Sequence, residues 1–205
     1  MTDHIQTIRD DLAFMKALVS DDGRLPAAIG AHLLAAGLLY GLPIFPVWAT
    51  LRGLLDLPHG WTSWVSIAST IVYLPVLAIV MFRQRKQGRI KSVEAFGAIW
   101  SSVGLTTLAI LTVIFTAVLK LHDREIWQLW PAACFALYGA AWWSTGAVLR
   151  SWGLRLVGVG SYATAVINGF LIGTPDLLLG CAVGILLWLS APGLVLLLKA
   201  RRIEA

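Results

Sequence analysis

Long apolar segments with at most one charged residue each constrain this chain more than any other feature of its sequence. A helix needs about 20 consecutive apolar residues to cross the ~30 Å hydrocarbon core of a bilayer. Six segments of the chain reach that length, and the joints between them are too short for a soluble domain of appreciable size. The predicted spans are residues 26–50, 61–82, 93–119, 127–149, 152–174 and 177–198.

Composition supports the same class of protein. Hydrophobic residues make up 58% of the chain and charged residues 13%, and the mean hydropathy is +0.78. These values are typical of an integral membrane protein. We therefore predict an all-α membrane protein, in which a six-transmembrane-helix bundle follows a short cytoplasmic amphipathic helix. The predicted domains are residues 1–24 for that helix and its linker, 25–199 for the bundle and 200–205 for a basic cytoplasmic tail.

The basic residues predict the orientation of the chain. If the spans alternate in direction, thirteen of the sixteen Lys and Arg residues fall on one side. By the positive-inside rule this places a multi-pass protein in a bacterial-type inner membrane with the N and C termini cytoplasmic. Tryptophans favour the membrane interface, and several lie at the predicted outer ends of spans. These are Trp48, Trp61, Trp64, Trp127 and Trp130.

The N-terminal segment is amphipathic and acidic. Its apolar side chains recur every three or four residues and form one helical stripe, which consists of Ile5, Ile8, Leu12, Met15 and Val19. Residues 1–22 hold five Asp against two basic residues, and an anionic inner leaflet repels such a segment. The stripe is therefore predicted to dock on protein. The alternatives are a cytosolic partner, a second copy of the chain, and its own bundle, where the acids would pair with the basic residues of 83–91.

The tyrosines lie at unusual positions for a membrane protein. All four fall near the centres of predicted spans, where a phenol must satisfy its hydroxyl inside the protein. One interpretation is interhelical hydrogen bonding, with Thr106, Thr107, Ser144 and Asn168 as partners. The other is an aromatic-lined pocket for a small hydrophobic ligand. The candidate pocket residues are Tyr40, Tyr73, Tyr138, Tyr162, His32 and Asn168.

Residues 83–91 form a basic segment between the second and third predicted spans. Each cation there contributes about 1 kcal/mol of attraction to anionic headgroups, so we predict contact with membrane lipids. The residues concerned are Arg83, Arg85, Lys86, Arg89 and Lys91. No nucleic-acid binding is expected, because a short segment has no folded surface to read a nucleic acid.

The spans carry little that points to catalysis. No acidic residue lies near a span centre, and no catalytic or nucleotide-binding motif is found. His32 is the only histidine inside a span, so a haem with two histidine ligands is not expected. The outer-loop residues His59 and His122 match no established metal motif. We predict a protein that is not an enzyme, with no cofactor and no metal site.

Glycines and prolines indicate how the spans pack. Three G-x-x-x-G pairs are candidate helix crossings, namely Gly37 with Gly41, Gly169 with Gly173 and Gly180 with Gly184. Prolines predict bends inside several spans. The bends fall at Pro43, Pro46, Pro75, Pro131 and Pro192.

Two functions follow from these features. The first is a non-enzymatic membrane sensor or anchor that docks a cytosolic partner or a second copy through its N-terminal helix and holds a small hydrophobic ligand in its bundle. The alternative is a small transporter or lipid-handling protein built from two inverted three-helix halves. The tripeptide Leu-Tyr-Gly occurs at residues 39–41 and again at 137–139, which fits such halves.

Overall fold

The structure is a computed structural model that describes residues 27–58, 60–86 and 91–204. Within these ranges the chain is all-helical and has no β-strand, so the predicted all-α class is confirmed there. A 3₁₀ turn at Arg124–Gln128 precedes α5, and a π-helical segment at Leu186–Ser190 joins α7 to α8. The α-helices are α1 (Ala27–Gly41), α2 (Ile44–Leu51), α3 (Trp61–Lys86), α4 (Lys91–Leu121), α5 (Leu129–Val148), α6 (Trp152–Phe170), α7 (Asp176–Ile185) and α8 (Ala191–Glu204).

Proline breaks the first predicted span into α1 and α2. Pro43 has no N–H to continue the hydrogen-bond ladder, and α1 ends two residues before it. The N–H of Leu42 donates to the carbonyl of Leu38 at 3.2 Å, and the N–H of Phe45 donates to the carbonyl of Leu42 at 3.2 Å. The two helices therefore follow each other closely across a single turn.

A second proline explains the π-helical segment before α8. In an α-helix the carbonyl of Trp188 would accept from the N–H of residue 192, but Pro192 has none and its ring clashes with that carbonyl. The chain widens here, and the N–H of Ala191 donates to the carbonyl of Leu186, five residues back. The indole Nε1 of Trp142 donates to the free carbonyl of Trp188 at 2.9 Å. The predicted bend at Pro192 thus takes the form of a widened turn bound by a buried tryptophan from α5.

The bundle is organised around α1. Helix α1 packs against α3, α7, the π-helical segment and α8, while α5 and α6 form a tight hairpin and α4 packs on α5. The buried cluster at the centre joins these elements and consists of Ile29, Leu33, Trp142 and Leu189. Helices α1 and α8 approach so closely that a Cβ added to Gly30 would lie 2.7 Å from the backbone nitrogen of Leu197.

The predicted glycine pairs differ in what they contact. A Cβ on Gly37 would lie 2.7 Å from the backbone nitrogen of Ser190, and one on Gly184 would lie 2.6 Å from the ring of Phe135. These glycines therefore do lie at close helix contacts. The predicted crossing at Gly169 and Gly173 is wrong, because neither glycine has a neighbouring atom within 4 Å of such a Cβ and α6 ends at Phe170, before Gly173.

Among the residues that the structure describes, three helical segments are long and apolar enough to cross a membrane by length and composition. They are Ala27–Leu51, Val93–Leu121 and Asp176–Lys199. This is fewer than the six spans predicted. The described helices nevertheless overlap all six predicted segments, when α1 and α2 are taken together and α7 and α8 are taken together. Within the described residues, α3 contributes a shorter apolar stretch, Ile67–Ile79.

Two contacts gather the loops at one end of the bundle. Arg52 pairs with Asp176, and Gln128 accepts a hydrogen bond from the backbone N–H of Gly173. We call this the Arg52 end, and the opposite end, where α5 turns into α6, the Arg155 end.

The second and third predicted spans are longer than expected at the Arg155 end. Helix α3 continues to Lys86 and α4 begins at Lys91, so the backbones of residues 83–86 and 91 of the predicted basic segment belong to helices. At the C-terminus the backbone stays helical through Glu204.

Candidate functional site

Two of the predicted pocket tyrosines meet the histidine where α1 packs against α3. The Tyr73 hydroxyl and His32 Nε2 are 3.0 Å apart, and the two ring centroids are 5.4 Å apart. The ring of Tyr40 meets Tyr73 edge-on, also at 5.4 Å. Edge-to-face rings at this separation attract each other beyond the effect of their burial. The structure thus brings together three of the six predicted pocket residues.

The unused nitrogen of His32 is the most informative atom of this cluster. Its Nδ1 is buried and has no hydrogen-bond partner in the described part of the protein. When the Tyr73 hydroxyl donates to Nε2, Nδ1 carries the ring proton; when Nε2 donates, Nδ1 is an acceptor. In either tautomer one polar atom lacks a partner, which costs about 1–3 kcal/mol. A ligand with one complementary group would remove that cost.

The rim of the cluster carries further hydroxyls. The Tyr40 hydroxyl donates to Thr70 Oγ1 at 3.4 Å, a long hydrogen bond at an exposed position of α3. Such a weak contact is easily exchanged for a ligand group. The cluster therefore has a buried polar atom at His32 and a more open polar edge at Tyr40.

Tyr138 lies in a second aromatic group, on α4 and α5. Its ring centroid is 6.1 Å from that of Trp100, which also contacts Phe96 at 5.4 Å and Trp142 at 5.1 Å. Within the described structure, the ring contacts of Tyr138 are with Trp100 and Phe135, away from the α1–α3 cluster.

Tyr162 and Asn168 lie elsewhere in the fold. Tyr162 is 40% exposed, and its ring covers Gly139 on α5. Asn168 is fully buried, and its Nδ2 contacts Cys181 Sγ at 3.9 Å. The hydroxyls of Thr106 and Thr107 bond to carbonyls of their own helix, and Ser144 is exposed, so none of the three serves a tyrosine. The structure therefore divides the predicted pocket residues among four places.

The remaining predicted sites fall largely outside the described residues. The docking stripe lies in residues 1–26, and Arg89 lies in 87–90. The backbones of Arg83, Arg85 and Lys86 form the end of α3, and Lys91 begins α4. His59 is not among the described residues, and His122 lies in the turn after α4 with a φ of 55°. Within the described ranges no three His, Cys, Asp or Glu side chains gather as metal ligands would.

The Arg52 end holds a polar contact that sequence reasoning missed. Arg52 Nε donates to Asp176 Oδ1 at 3.1 Å, its Nη2 pairs with Oδ2, and Trp48 Nε1 donates to Oδ1 at 3.0 Å. Asp176 holds the pKa of Arg52 above its ordinary value through this hydrogen bond and its charge. Trp48 was predicted at the outer end of its span, which was the available signal. An open cleft of about 220 Å³ lies nearby, and none of its described lining residues carries a titratable side chain.

Comparison with protein families, with curated proteins and with solved structures finds no match for this chain. The candidate site therefore stands on its own geometry. Its centre is the His32–Tyr73–Tyr40 cluster between α1 and α3.

Proposed function

We propose that the chain is a membrane protein of six spanning helices that acts as a non-enzymatic sensor, binding a small membrane-soluble ligand between α1 and α3. The observation that carries this proposal is the His32 ring, which bonds to Tyr73 through one nitrogen and buries the other without a partner. Ligand sites are commonly apolar and aromatic, with a few well-placed polar groups.

Helix length and surface chemistry support six spans. At about 1.5 Å per residue, α5 and α6 measure about 30 Å, close to the thickness of a bilayer core. Helix α5 holds no charged residue, α6 holds only Arg155 near its start, and the charges of α3 lie in its last turns. Large apolar side chains on these helices face outward, among them Ile71 at 63%, Val166 at 60% and Phe170 at 84% exposure. Contact with lipid would cost these apolar surfaces no free energy, whereas contact with water would be unfavourable.

The cluster defines the class of ligand. Three aromatic rings favour a flat, mostly apolar body, and Nδ1 of His32 favours one oxygen or nitrogen able to hydrogen-bond. No charged side chain of the described residues lies in the cluster, so a charged ligand would be desolvated without compensation. A bicyclic phenol or a similarly sized carbonyl compound has the required chemistry.

Helix α3 is suited to respond to such a ligand. Within the described residues its substantial packing is against α1 alone. Pro75 lies two residues after Tyr73 and removes a hydrogen bond from the middle of the helix. Helices bend at such prolines, and elements with few buried contacts move at low cost. A ligand beside Tyr73 can therefore change the angle of α3 while the rest of the bundle stays packed.

The test replaces the central hydroxyl and measures binding of 1-naphthol as the probe. Tyr73→Phe keeps the ring and removes the group that holds His32, so we expect roughly tenfold weaker binding, as the loss of about one hydrogen bond predicts. Tyr162→Phe is the matched control, because that ring lies away from the cluster. Titration of purified protein followed by native mass spectrometry gives both affinities. Equal affinity for wild type and Tyr73→Phe would contradict the proposed site.

A further inference from the structure

A cation that has no counter-ion among the described residues lies at the Arg155 end. The Cζ atom of Arg155 is 6.0 Å from the ring centroid of Trp143 and 5.8 Å from that of Trp152. These distances are within the range of cation–π attraction. Both tryptophans are exposed, at 42% and 65%. The guanidinium is therefore held against two indole rings at the surface of the α5–α6 hairpin.

The backbone of the hairpin fixes this side chain. A Cβ added to Gly146 would lie 2.7 Å from the nitrogen of Arg155 and 2.8 Å from its Cγ. Only glycine at position 146 lets the backbone and the aliphatic part of Arg155 pack so closely against α5. The N–H of Ser151 donates to the carbonyl of Gly146 at 2.9 Å and closes the turn. The position of Arg155 is thus determined by the turn itself.

The charge of Arg155 is not neutralised by the part of the chain that the structure describes. No carboxylate there pairs with it, and its Nε is buried with no hydrogen-bond partner. A partly buried cation in this state favours an anion. Arg150, exposed in the same turn with a φ of 49°, adds a second positive charge to the surface.

We propose that this site binds the phosphate group of an anionic phospholipid. A guanidinium presents parallel N–H donors that match phosphate oxygens, and tryptophan rings favour the headgroup depth of a bilayer. Beyond the headgroup, Trp152, Leu156 and Val159 lie on one face of α6 and are all exposed, which provides a path for an acyl chain. That apolar path favours a lipid over free phosphate. The site is separate from the His32 cluster and depends only on the membrane placement of α6.

The experiment measures lipid binding by the full chain in detergent, using native mass spectrometry. Dioleoylphosphatidylglycerol is titrated against dioleoylphosphatidylcholine, and we expect the wild type to retain the anionic lipid roughly tenfold better, the effect of a single charge-assisted contact. Arg155→Gln should abolish that preference. Arg155→Lys keeps the charge but loses the planar fork, so it should retain only part of the preference.

Arg124→Gln is the matched control, since it removes one exposed positive charge from the Arg52 end and should leave the preference intact. An equal loss in Arg124→Gln, or an undiminished preference in Arg155→Gln, would overturn the proposal. Displacement of the lipid by millimolar inorganic phosphate alone would also overturn it, because the site would then take the free anion. If Arg155→Gln does not fold, Arg155→Lys decides. Recovery of the wild type from the membrane fraction tests membrane placement separately, so the two failures are distinguishable.

Discussion

Replacing Gly30 with leucine should destabilise the bundle more than any other single change at a helix crossing discussed above. A Cβ at residue 30 would lie 2.7 Å from the nitrogen of Leu197 and 2.8 Å from the carbonyl oxygen of Gly193. Both are backbone atoms, which cannot rotate aside, so α1 and α8 must move apart. Overpacking typically costs about 1–3 kcal/mol, and we expect Gly30→Leu to reach or exceed the upper value. Thermal unfolding in detergent, followed by circular dichroism, measures the loss.

Gly104→Leu provides the control for that substitution. Gly104 lies in α4, where an added Cβ meets no atom within 4 Å in the described structure. Leucine also has the higher helix propensity. This variant should unfold at or above the temperature of the wild type. A Gly30→Leu protein as stable as Gly104→Leu would contradict the close crossing of α1 and α8.

The second large effect is expected at Trp142, which is fully buried. Trp142→Phe removes the indole donor from the carbonyl of Trp188, and leaving that group unsatisfied costs about 1–3 kcal/mol. Trp142→Ala also leaves a cavity and should cost about 3–5 kcal/mol. Exposed Trp64, 71% accessible, is the control, and Trp64→Phe should change stability little.

A double-mutant cycle identifies the cause of the Trp142 effect. Pro192→Ala returns an N–H four residues after Trp188, so the carbonyl regains a partner within its own helix. Trp142→Phe should then cost less in the Pro192→Ala background than in the wild type. Equal costs in the two backgrounds would show that the indole contributes through packing and not through this hydrogen bond.

Helix positions were predictable from the sequence, but the faces of the helices were not. The six predicted apolar segments overlap the helices that the structure describes. The length of an apolar segment and the polar residues that flank it indicate where a helix begins and ends. The rotation of each helix about its own axis cannot be predicted in the same way. Lipid and the protein interior are equally apolar, so the apolar residues of the sequence show only a weak periodic pattern. Tyr162 illustrates this, because its depth was predicted while its exposed position against Gly139 was not.

The contacts of the candidate site depend on register between helices, which single-sequence reasoning does not give. His32 and Tyr73 were both named as pocket residues, but their hydrogen bond requires α1 and α3 to pack at one particular height. The predicted bend at Pro192 gave no indication that Trp142 would bind the carbonyl it frees. The predicted crossing at Gly169 and Gly173 failed because α6 ends between the two glycines.

The number of membrane spans tests the account most directly, because α3 and α6, which carry residues of the two proposed sites, are outside the three segments that satisfy length and composition among the described residues. Six spans place the two termini on the same side of the membrane. If only the three described segments that satisfy length and composition crossed it, the termini would lie on opposite sides. A reporter active only in the cytoplasm is fused to Met1 in one protein and to Ala205 in another, each with a complementary periplasmic reporter as control. We predict cytoplasmic activity from both fusions. Activity at one terminus and periplasmic signal at the other would contradict the six-span bundle.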